Sequence, residues 1–319
     1  MLAELLEGYE QKEIEFLVSG FEEGFKIPAE AFEYDTTTGN HASVMNNVEV
    51  VDSIVQKEIK LGRVRGPFDY PPLTKFHVSP LGLIPKHEPG SYRLIHNLSF
   101  PPDESVNAAI PRELCTVTYE TLDDALGWVL YFGKGCLMAK ADIEEAYRNI
   151  PIHPESQHLL GFTWNGKLYY DCCLPFGLSY SCRLFERFAT ALQWILINEY
   201  KVDGISHLLD DFMHFGPAND DSCRTGISCF MLICRRLNIP VKQSKTVPPT
   251  TCAVLHGIEV NTEAIEVRLP CDKLNKAIQA ISKIEYREKI RKRELQAVIS
   301  LLAFLCRVVM PCRTLLRRL

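Results

Sequence analysis

Two adjacent aspartates, Asp210 and Asp211, lie in the segment 207–213 with apolar residues on both sides of the pair. Gly216 and Pro217 end the segment shortly afterwards. This pattern favours two short strands that fold back on each other at an acidic turn. A hairpin of this kind constrains the fold, because its strands must pair antiparallel. Two carboxylates at its tip can hold a divalent metal ion.

The aspartate pair is weak evidence by itself, because the chain contains two similar pairs. Asp123-Asp124 lies among apolar residues at helical spacing, which predicts carboxylates that face water. Asp220-Asp221 follows Gly-Pro-Ala-Asn and precedes a helical pattern, so it is typical of a helix N-terminus, where acidic side chains are favoured. Only the pair at 210 lies outside a predicted helix, and a metal site there requires partner residues from elsewhere.

The composition suits an intracellular protein, in the cytoplasm or the nucleus, rather than a secreted one. Of the 319 residues, 46% are hydrophobic, and no segment approaches the about 18 unbroken apolar residues that a membrane span needs. The first ten residues are acidic and lack the pattern of a signal peptide. The 12 cysteines form no C-x-x-C pair, which predicts reduced, mostly buried thiols and no zinc site.

Charge is distributed unevenly along the chain, although the net charge is only −5. Residues 1–60 carry 13 acidic and 4 basic side chains, whereas residues 271–319 carry 4 acidic and 12 basic ones. A basic end of this kind accompanies a polyanionic partner that is bound by one part of the chain. A solvated charged helix face is the alternative.

The order of predicted elements favours an α+β fold built on an antiparallel sheet, because strands and helices alternate without a regular βαβ rhythm. Hairpins are predicted over 78–98, with its turn at 88–91, and over 159–173 around Asn165-Gly166. A strand pair is predicted over 252–269 with Asn261-Thr262 at its turn. From residue 272 onward the chain is predicted to be helical, interrupted by Pro311.

Asp142 is the natural partner for the aspartate pair. It ends the apolar strand predicted at 136–142, although a lone acid at that place also suits a helix cap. Further residues of chemical interest follow the same order along the chain, namely Lys86 and Arg93 on one hairpin, Tyr147, the segment Leu174-Pro175-Phe176-Gly177-Leu178, Lys245, and Leu255-His256-Gly257.

This ordered set resembles the reverse transcriptases over roughly residues 60–319. The segment around Asp142 is similar to motif A of that family, 174–178 to motif B, 208–211 to motif C, and Lys245 and Gly257 fall at motif D and the primer grip. The resemblance is greatest to the DIRS-like, tyrosine-recombinase retrotransposons. The residues that indicate this group are Gly66-Pro67-Phe68, Arg93-Leu94-Ile95-His96-Asn97-Leu98-Ser99, Arg268-Leu269-Pro270, Asp272-Lys273-Leu274 and the closing 313–319.

The resemblance implies an RNA-directed DNA polymerase that adds dNTPs to a primer on an RNA or DNA template. Asp142, Asp210 and Asp211 would be the catalytic metal ligands for two Mg²⁺ ions, with Mn²⁺ as a substitute. The nucleotide-binding residues would be Lys86, Arg93, Tyr147, Phe176, Gly177 and Lys245, and the primer grip would be Leu255, His256 and Gly257. Exposed hairpin cations and an ordinary surface lysine are the alternatives for Lys86, Arg93 and Lys245.

Tyr147 bears on the choice of nucleotide. An aromatic ring beneath the incoming sugar leaves no room for a 2′-hydroxyl group, so the resemblance implies selection of dNTPs. A core aromatic side chain on a short helix is the alternative.

The resemblance also implies a right-hand polymerase architecture, with an antiparallel palm sheet covered by helices on one face, mixed fingers and a partial helical thumb. The domains would be an acidic helical extension (1–60), fingers (61–135 and 151–173), palm (136–150 with motif A, and 174–268 with motifs B to E), and a basic helical thumb or connection start (269–319), truncated before any RNase H domain. No membrane partner is expected.

Two departures from the family pattern keep other functions open. Leu208 stands where a tyrosine is usual before the acidic pair, and the chain ends early for an element of this group. A degenerate or domesticated copy that binds nucleic acid or protein without polymerising is therefore one alternative. A metal-dependent nuclease is another, although it needs neither the aromatic gate at Tyr147 nor the cations Lys86 and Arg93.

Overall fold

The computed structural model describes residues 1–30, 39–86, 90–287, 289–309 and 311–317. The chain divides into two compact units, each built from three separate stretches of sequence. The first unit comprises Met1–Tyr119, Ile143–Tyr200 and Leu232–Val241, and the second comprises Glu120–Asp142, Lys201–Met231 and Lys242–Leu319. Within the described ranges, no helix combines the length and the apolar character needed to cross a membrane.

The elements confirm the predicted mixed α+β class. The helices are α1 (Leu2–Leu5), α2 (Gln11–Glu23), α3 (Ala42–Met45), α4 (Val48–Lys60), α5 (Leu122–Phe132), α6 (Pro154–Gln157), α7 (Ser181–Asn198), α8 (Ser222–Arg236), α9 (Cys271–Ser282), α10 (Lys292–Leu305) and α11 (Cys312–Leu316). The strands are β1 (Val64–Phe68), β2 (Leu81–Pro85), β3 (Tyr92–His96), β4 (Leu137–Asp142), β5 (Gly161–Trp164), β6 (Lys167–Asp171), β7 (Gly204–Leu208), β8 (Asp211–Gly216), β9 (Val247–Thr250), β10 (Cys252–Leu255), β11 (Ile258–Asn261) and β12 (Glu266–Arg268). Short 3-10 helices lie at Arg112–Leu114, Ala146–Asn149 and Gln243–Lys245.

The second unit is built around a four-stranded antiparallel sheet in the order β7-β8-β4-β9. Its central strand β8 is buried over five of its six residues, which suits a strand covered on both faces. Helix α5 and the turn of β10 with β11 contribute side chains to one apolar core with this sheet. That core consists of Leu122, Ala125, Val129, Cys136, Met138, Met213, Phe215, Ala253, Leu255, Ile258 and Val260.

The two other aspartate pairs serve helix starts. The Asp124 carboxylate accepts hydrogen bonds from the backbone and the hydroxyl of Thr121 (both 2.7 Å), which closes a capping box at the start of α5. The Asp220 carboxylate accepts hydrogen bonds from the backbone (2.8 Å) and hydroxyl (2.6 Å) of Ser222, at the start of α8. Both pairs are solvent-exposed, as the helical patterns predict.

The segment 252–269 holds three strands rather than the predicted pair. β10, β11 and β12 form an antiparallel meander, whose first turn, at His256-Gly257, was not predicted and whose second turn begins at the predicted Asn261-Thr262. Gly257 has a φ of 77°, a left-handed conformation that glycine adopts without steric cost. Thr262 is fully buried, and its hydroxyl donates to the carbonyl of Cys136 at 2.8 Å.

Two further expectations need correction. The C-terminal helix predicted from residue 272 ends at Ser282, and a new helix begins at Lys292, where the Glu294 carboxylate accepts a hydrogen bond from the backbone N–H of Arg291 at 3.3 Å. The cysteines are free thiols, but they are not mostly buried as predicted. Four of the twelve are buried, six are partly exposed and two are exposed on the surface. The predicted turn of the first hairpin lies partly outside the described residues, at 88–89.

The first unit contains a three-stranded antiparallel sheet in the order β1-β6-β5 and the separate hairpin β2-β3. Helices α3 and α4 pack against these strands through one apolar cluster. Its members are Val44, Val51, Val55, Val64, Leu81, Leu83, Phe162, Trp164 and Tyr169. The long helix α7 buries ten of its 18 residues, so it is a fixed support for side chains at its start.

Candidate functional site

Three carboxylates of the second unit meet at one end of its sheet. Asp142 is the last residue of β4 and Asp211 is the first residue of β8, and the two are register partners on adjacent antiparallel strands. Asp210 lies in the tight turn between β7 and β8, where Leu208 pairs with Asp211. Leu209 has a φ of 53°, an unusual conformation for a branched apolar residue. The backbone of the turn that carries Asp210 is therefore strained at Leu209.

These carboxylates repel one another. Burial, and then the charges of Asp142 and Asp211, raise the pKa of Asp210 to about 6. Asp142 is only 4% exposed. The Oδ1 atom of Asp211 is buried and accepts no hydrogen bond within the described residues. Buried acceptor oxygens are nearly always satisfied, so this one requires an explanation.

Two lysines contact the group. The Nζ atom of Lys245, from the 3-10 helix Gln243–Lys245, donates to Asp142 Oδ2 at 2.8 Å. Burial would lower the pKa of Lys245, but its hydrogen bond to Asp142 and the nearby aspartates outweigh burial and raise it. The Nζ atom of Lys140 lies 2.7 Å from Asp211 Oδ2. The backbone N–H of Lys242 donates to the carbonyl of Asp142 at 2.8 Å, which ties the Lys245 segment to β4.

The chemistry of this group fits a hard cation. Its donors are carboxylate oxygens, which Mg²⁺ and Mn²⁺ prefer. Three carboxylates face two lysine ammonium groups, so negative charge is in excess, and one buried oxygen has no partner among the described residues. Over the part of the chain that the structure describes, no three His, Cys, Asp or Glu side chains already form a cage for an ion.

Lys140 is a residue of this group that the sequence interpretation missed. It lies two positions before Asp142 on β4, and side chains at i and i+2 of a strand share a face. That spacing was the available signal.

The predicted primer-grip residues form a separate turn of the second unit. Leu255 ends β10 and is fully buried in the apolar core, which anchors the turn. His256 and Gly257 are both left-handed, with φ of 46° and 77°. Burial, and then the charge of Arg307, lower the pKa of His256, so the ring is neutral at physiological pH. The buried Leu255 holds this turn in place, and its contacts in the structure do not indicate a function.

The other predicted site residues lie in the first unit. Lys86 is exposed directly after β2, and its backbone N–H donates to the Ser91 carbonyl at 2.8 Å. Arg93 lies on β3, paired with Ile84 in the same hairpin. The Arg93 guanidinium carbon lies 4.5 Å from the centre of the Phe176 ring, at cation–π distance. The structure thus joins Arg93 to Phe176.

Tyr147 lies in the 3-10 helix Ala146–Asn149 and contacts the same aromatic group. Its ring centre is 5.1 Å from that of Phe176 and 5.7 Å from that of Phe185 on α7. Its hydroxyl oxygen lies 3.1 Å from the sulfur of Cys182. The sequence interpretation missed both Phe185 and Cys182, because only the tertiary structure brings α7 to Tyr147.

Gly177 is required by a close backbone approach. Its φ is 120°, and a Cβ atom at this position would lie 2.0 Å from the carbonyl oxygen of His96. The backbone N–H of His96 donates to the Phe176 carbonyl at 2.8 Å. The segment 176–177 is therefore fastened to the end of β3, which also carries Arg93.

Comparisons with known proteins give a consistent result. A family model described as reverse transcriptase (RNA-dependent DNA polymerase) matches residues 84–255. Among solved structures, a foamy viral protease-reverse transcriptase in complex with dsDNA gives a TM-score of 0.68 at 17% identity, covering 100% of this chain and 55% of that one. A complex of the foamy viral protein with an RNA/DNA hybrid gives a TM-score of 0.63 at 15% identity, covering 100% of this chain and 42% of that one.

The structural likeness concerns the fold, since the identities are low. The chain spans less than two thirds of the length of these foamy viral chains. A search of curated proteins gives no match. The family model covers more than half of the sequence, from β2 to β10, and includes the three carboxylates and the Tyr147 group. The chain therefore belongs to the reverse transcriptase family.

Proposed function

We propose that this chain is the RNA-directed DNA polymerase of a retroelement, a nucleotidyltransferase that adds dNTPs to the 3′-hydroxyl of a primer. The observation that supports this most is the group Asp142, Asp210 and Asp211. Burial and mutual repulsion raise the pKa of Asp210 to about 6 there, and a buried Asp211 oxygen accepts no hydrogen bond from any residue that the structure describes. Strongly perturbed carboxylates of this kind are typical of functional sites.

In this proposal Asp142, Asp210 and Asp211 would hold two Mg²⁺ or Mn²⁺ ions. The bound ions would lower the pKa of the primer 3′-hydroxyl and neutralise charge on the phosphates. Lys245, already an ion-pair partner of Asp142, would protonate or neutralise the leaving pyrophosphate.

The residues of the first unit would handle the nucleotide. Lys86 and Arg93 would bind the triphosphate, for which the guanidinium group offers paired donors. The ring of Tyr147 would occupy the space that a ribonucleotide 2′-hydroxyl needs. Phe176 and Gly177 would support the nucleotide base and the template backbone. His256 and Gly257, held by Leu255, would contact the primer end.

We further propose the right-hand arrangement of this family for the chain. The sheet of the second unit would be the palm, the hairpin β2-β3 and the sheet β1-β6-β5 would belong to the fingers, and the basic residues 269–319 would start the thumb. The relatives bound to dsDNA and to an RNA/DNA hybrid suggest a primer–template duplex as the partner. The motifs around 66–68, 93–99 and 268–274 favour a DIRS-like element.

A primer-extension assay tests the proposal. The chain is incubated with a labelled DNA primer on an RNA template, dNTPs and Mg²⁺, and we expect extended products that disappear in Asp210→Ala. Asp221→Ala is the matched control, because it changes an exposed aspartate in an Asp-Asp pair that only starts a helix. Duplex binding without any extension would instead support a non-polymerising copy, which Leu208 favours, and shortening of the template would support a nuclease.

A further inference from the structure

The thiol of Cys182 contacts the residue that the proposed function assigns to sugar selection. Its sulfur lies 3.1 Å from the hydroxyl oxygen of Tyr147, and either atom can be the donor. Burial, and then the neighbouring Cys182, also raise the pKa of Tyr119. Cys182 therefore interacts with two tyrosines.

The two partners sit on supports of unequal stiffness. Cys182 is the second residue of α7, whose first residue, Ser181, is buried and donates its hydroxyl to the Pro175 carbonyl at 3.0 Å. Tyr147 lies in a single 3-10 turn that follows Glu145, a residue with a φ of 51°. Short 3-10 segments have poorer hydrogen-bond geometry than α-helices. The orientation of Tyr147 therefore depends on what its side chain contacts.

The aromatic contacts of Tyr147 do not fix its hydroxyl end. Phe176 and Phe185 lie against the ring at tilted and edge-on angles of 50° and 70°, which limits the space around it. Hydrogen bonding restrains the hydroxyl end, and the contact with Cys182 is one such bond. Phe176 also lies beneath the guanidinium group of Arg93. A shift of Tyr147 would therefore also move Arg93, the residue proposed to bind the triphosphate.

We propose that Cys182 is a positioning residue that holds Tyr147 in the orientation that excludes ribonucleoside triphosphates. This inference rests on the proposed function, because it concerns the choice between dNTPs and rNTPs at the same site. Cys182 would not touch the nucleotide. Its loss would let the tyrosine ring pivot and would admit a 2′-hydroxyl group.

The test measures kcat/KM for a dNTP and for the matching rNTP on one primer–template. Removing the contact in Cys182→Ala or in the similarly sized Cys182→Val should lower the dNTP/rNTP discrimination about 3- to 10-fold, the range expected for one hydrogen bond. The change should appear as a higher kcat/KM for the rNTP. Cys182→Ser restores a hydrogen-bonding group and should keep discrimination within about twofold of wild type.

Tyr147→Phe supplies a second, independent arm. It keeps the ring and removes the same hydrogen bond from the other side, so it should lower discrimination as much as Cys182→Val does. The double variant should lose no more than either single one, because both changes break one interaction. Cys229→Ala, at a partly exposed cysteine of α8 in the second unit, should discriminate like wild type.

The possible results distinguish a failure of the Cys182 proposal from a failure of the proposed function. Unchanged discrimination in both Cys182→Val and Cys182→Ala, with wild-type extension of dNTPs, would overturn the role of Cys182 and leave the proposed function standing. Additive losses in the double variant would also overturn it. A wild-type chain that extends no primer with dNTPs would overturn both proposals. Melting curves of the Cys182 variants separate a repositioned tyrosine from a partly unfolded protein.

Discussion

Two buried aspartates of this protein, one in each unit, have pKa values shifted in opposite directions, because their neighbouring charges differ. In the second unit, burial and then Asp142 and Asp211 raise the pKa of Asp210 to about 6. In the first unit, burial alone would raise the pKa of Asp171, but Arg148 and His96 outweigh it and hold that pKa below its usual value. One aspartate lies in an excess of negative charge, and the other is neutralised.

The neutralised group is a closed network around Arg148. Its guanidinium nitrogens donate to Glu58 and lie 2.7 Å from Asp171 Oδ1, and a third bond reaches the Cys173 carbonyl at 3.3 Å. The second oxygen of the Asp171 carboxylate, Oδ2, lies 3.1 Å from Nδ1 of His96. Burial would lower the pKa of Arg148, but Asp171 and Glu58 outweigh burial and raise it.

The contrast separates a structural role from a chemical one. Buried charges that are paired and fully hydrogen-bonded hold distant segments in place, here α4, β3, β6 and the turn after β4. Buried carboxylates that outnumber their neighbouring cations leave negative charge uncompensated. Only the second arrangement can bind a cation, which is why the Asp210 group rather than the Asp171 group is the candidate site.

The largest expected effect is on catalysis. Asp210→Asn keeps the shape of the side chain and removes one carboxylate charge, so primer extension should fall by at least about 1,000-fold, or roughly 4 kcal/mol of barrier. Asp171→Asn is the comparison, and its activity should fall only as far as its folded fraction falls. Substantial extension by Asp210→Asn would remove the distinction between the two groups.

The next effect concerns stability in the first unit. Arg148→Met leaves the buried Asp171 without its main cation and weakens the pairing of Glu58, which keeps Arg63 at 3.8 Å, so it should cost about 3–5 kcal/mol of unfolding free energy in urea denaturation. Adding Glu58→Gln and Asp171→Asn to Arg148→Met should recover part of that loss, since no buried charge is then unpaired. Lys167→Ala, which removes an exposed ion pair with Asp69, should leave the urea midpoint unchanged.

Buried histidines extend the comparison. His214 in β8 is fully buried, neither ring nitrogen has a hydrogen-bond partner within the described residues, and burial lowers its pKa to about 3. His96 in the first unit lies instead between the Asp171 carboxylate and the Gly161 carbonyl. His214 thus behaves as a neutral core residue.

A lowered histidine pKa gives stability that is present above the unfolded-state pKa and is lost as pH falls below it. With about 6.5 in the unfolded chain and about 3 in the folded one, His214 should remove roughly 2 kcal/mol of stability between pH 7 and pH 5. Urea denaturation between pH 7 and pH 5 should show a stability loss in His214→Leu that is smaller than the wild-type loss by about this amount. An identical pH dependence in the variant would contradict the prediction.

The smallest expected effect is again at Asp210. Because its charge is repelled by Asp142 and Asp211, Asp210→Asn should raise the unfolding free energy by about 1 kcal/mol at pH 7.5 without divalent cations, allowing for its partial exposure. A gain in stability from the same substitution that abolishes extension is the signature of a strained site. Asp171→Asn should lower the stability under the same conditions.

Much of this architecture follows from local sequence. The apolar run broken by Asp210-Asp211, the Asn165-Gly166 turn and the strand that ends at Asp142 predict antiparallel hairpins, because their periodicity and turn residues act over a few positions. The meander at 252–268 was missed, since the His256-Gly257 turn and a buried Thr262 were not recognised as the determinants of register. The order of motifs also sufficed to indicate the family.

Sequence by itself therefore determined the hairpins at Asn165-Gly166 and Asp210-Asp211, the strand that ends at Asp142 and the family of this protein. The tertiary structure alone decided which side chains meet, because strand register places Asp142 beside Asp211 and Lys140 beside that pair. It also decided that Cys182 meets Tyr147 and that Arg148 neutralises Asp171, residues 35 and 23 positions apart. Local propensity acts over one turn or one strand, whereas charge balance and close packing are properties of the folded chain.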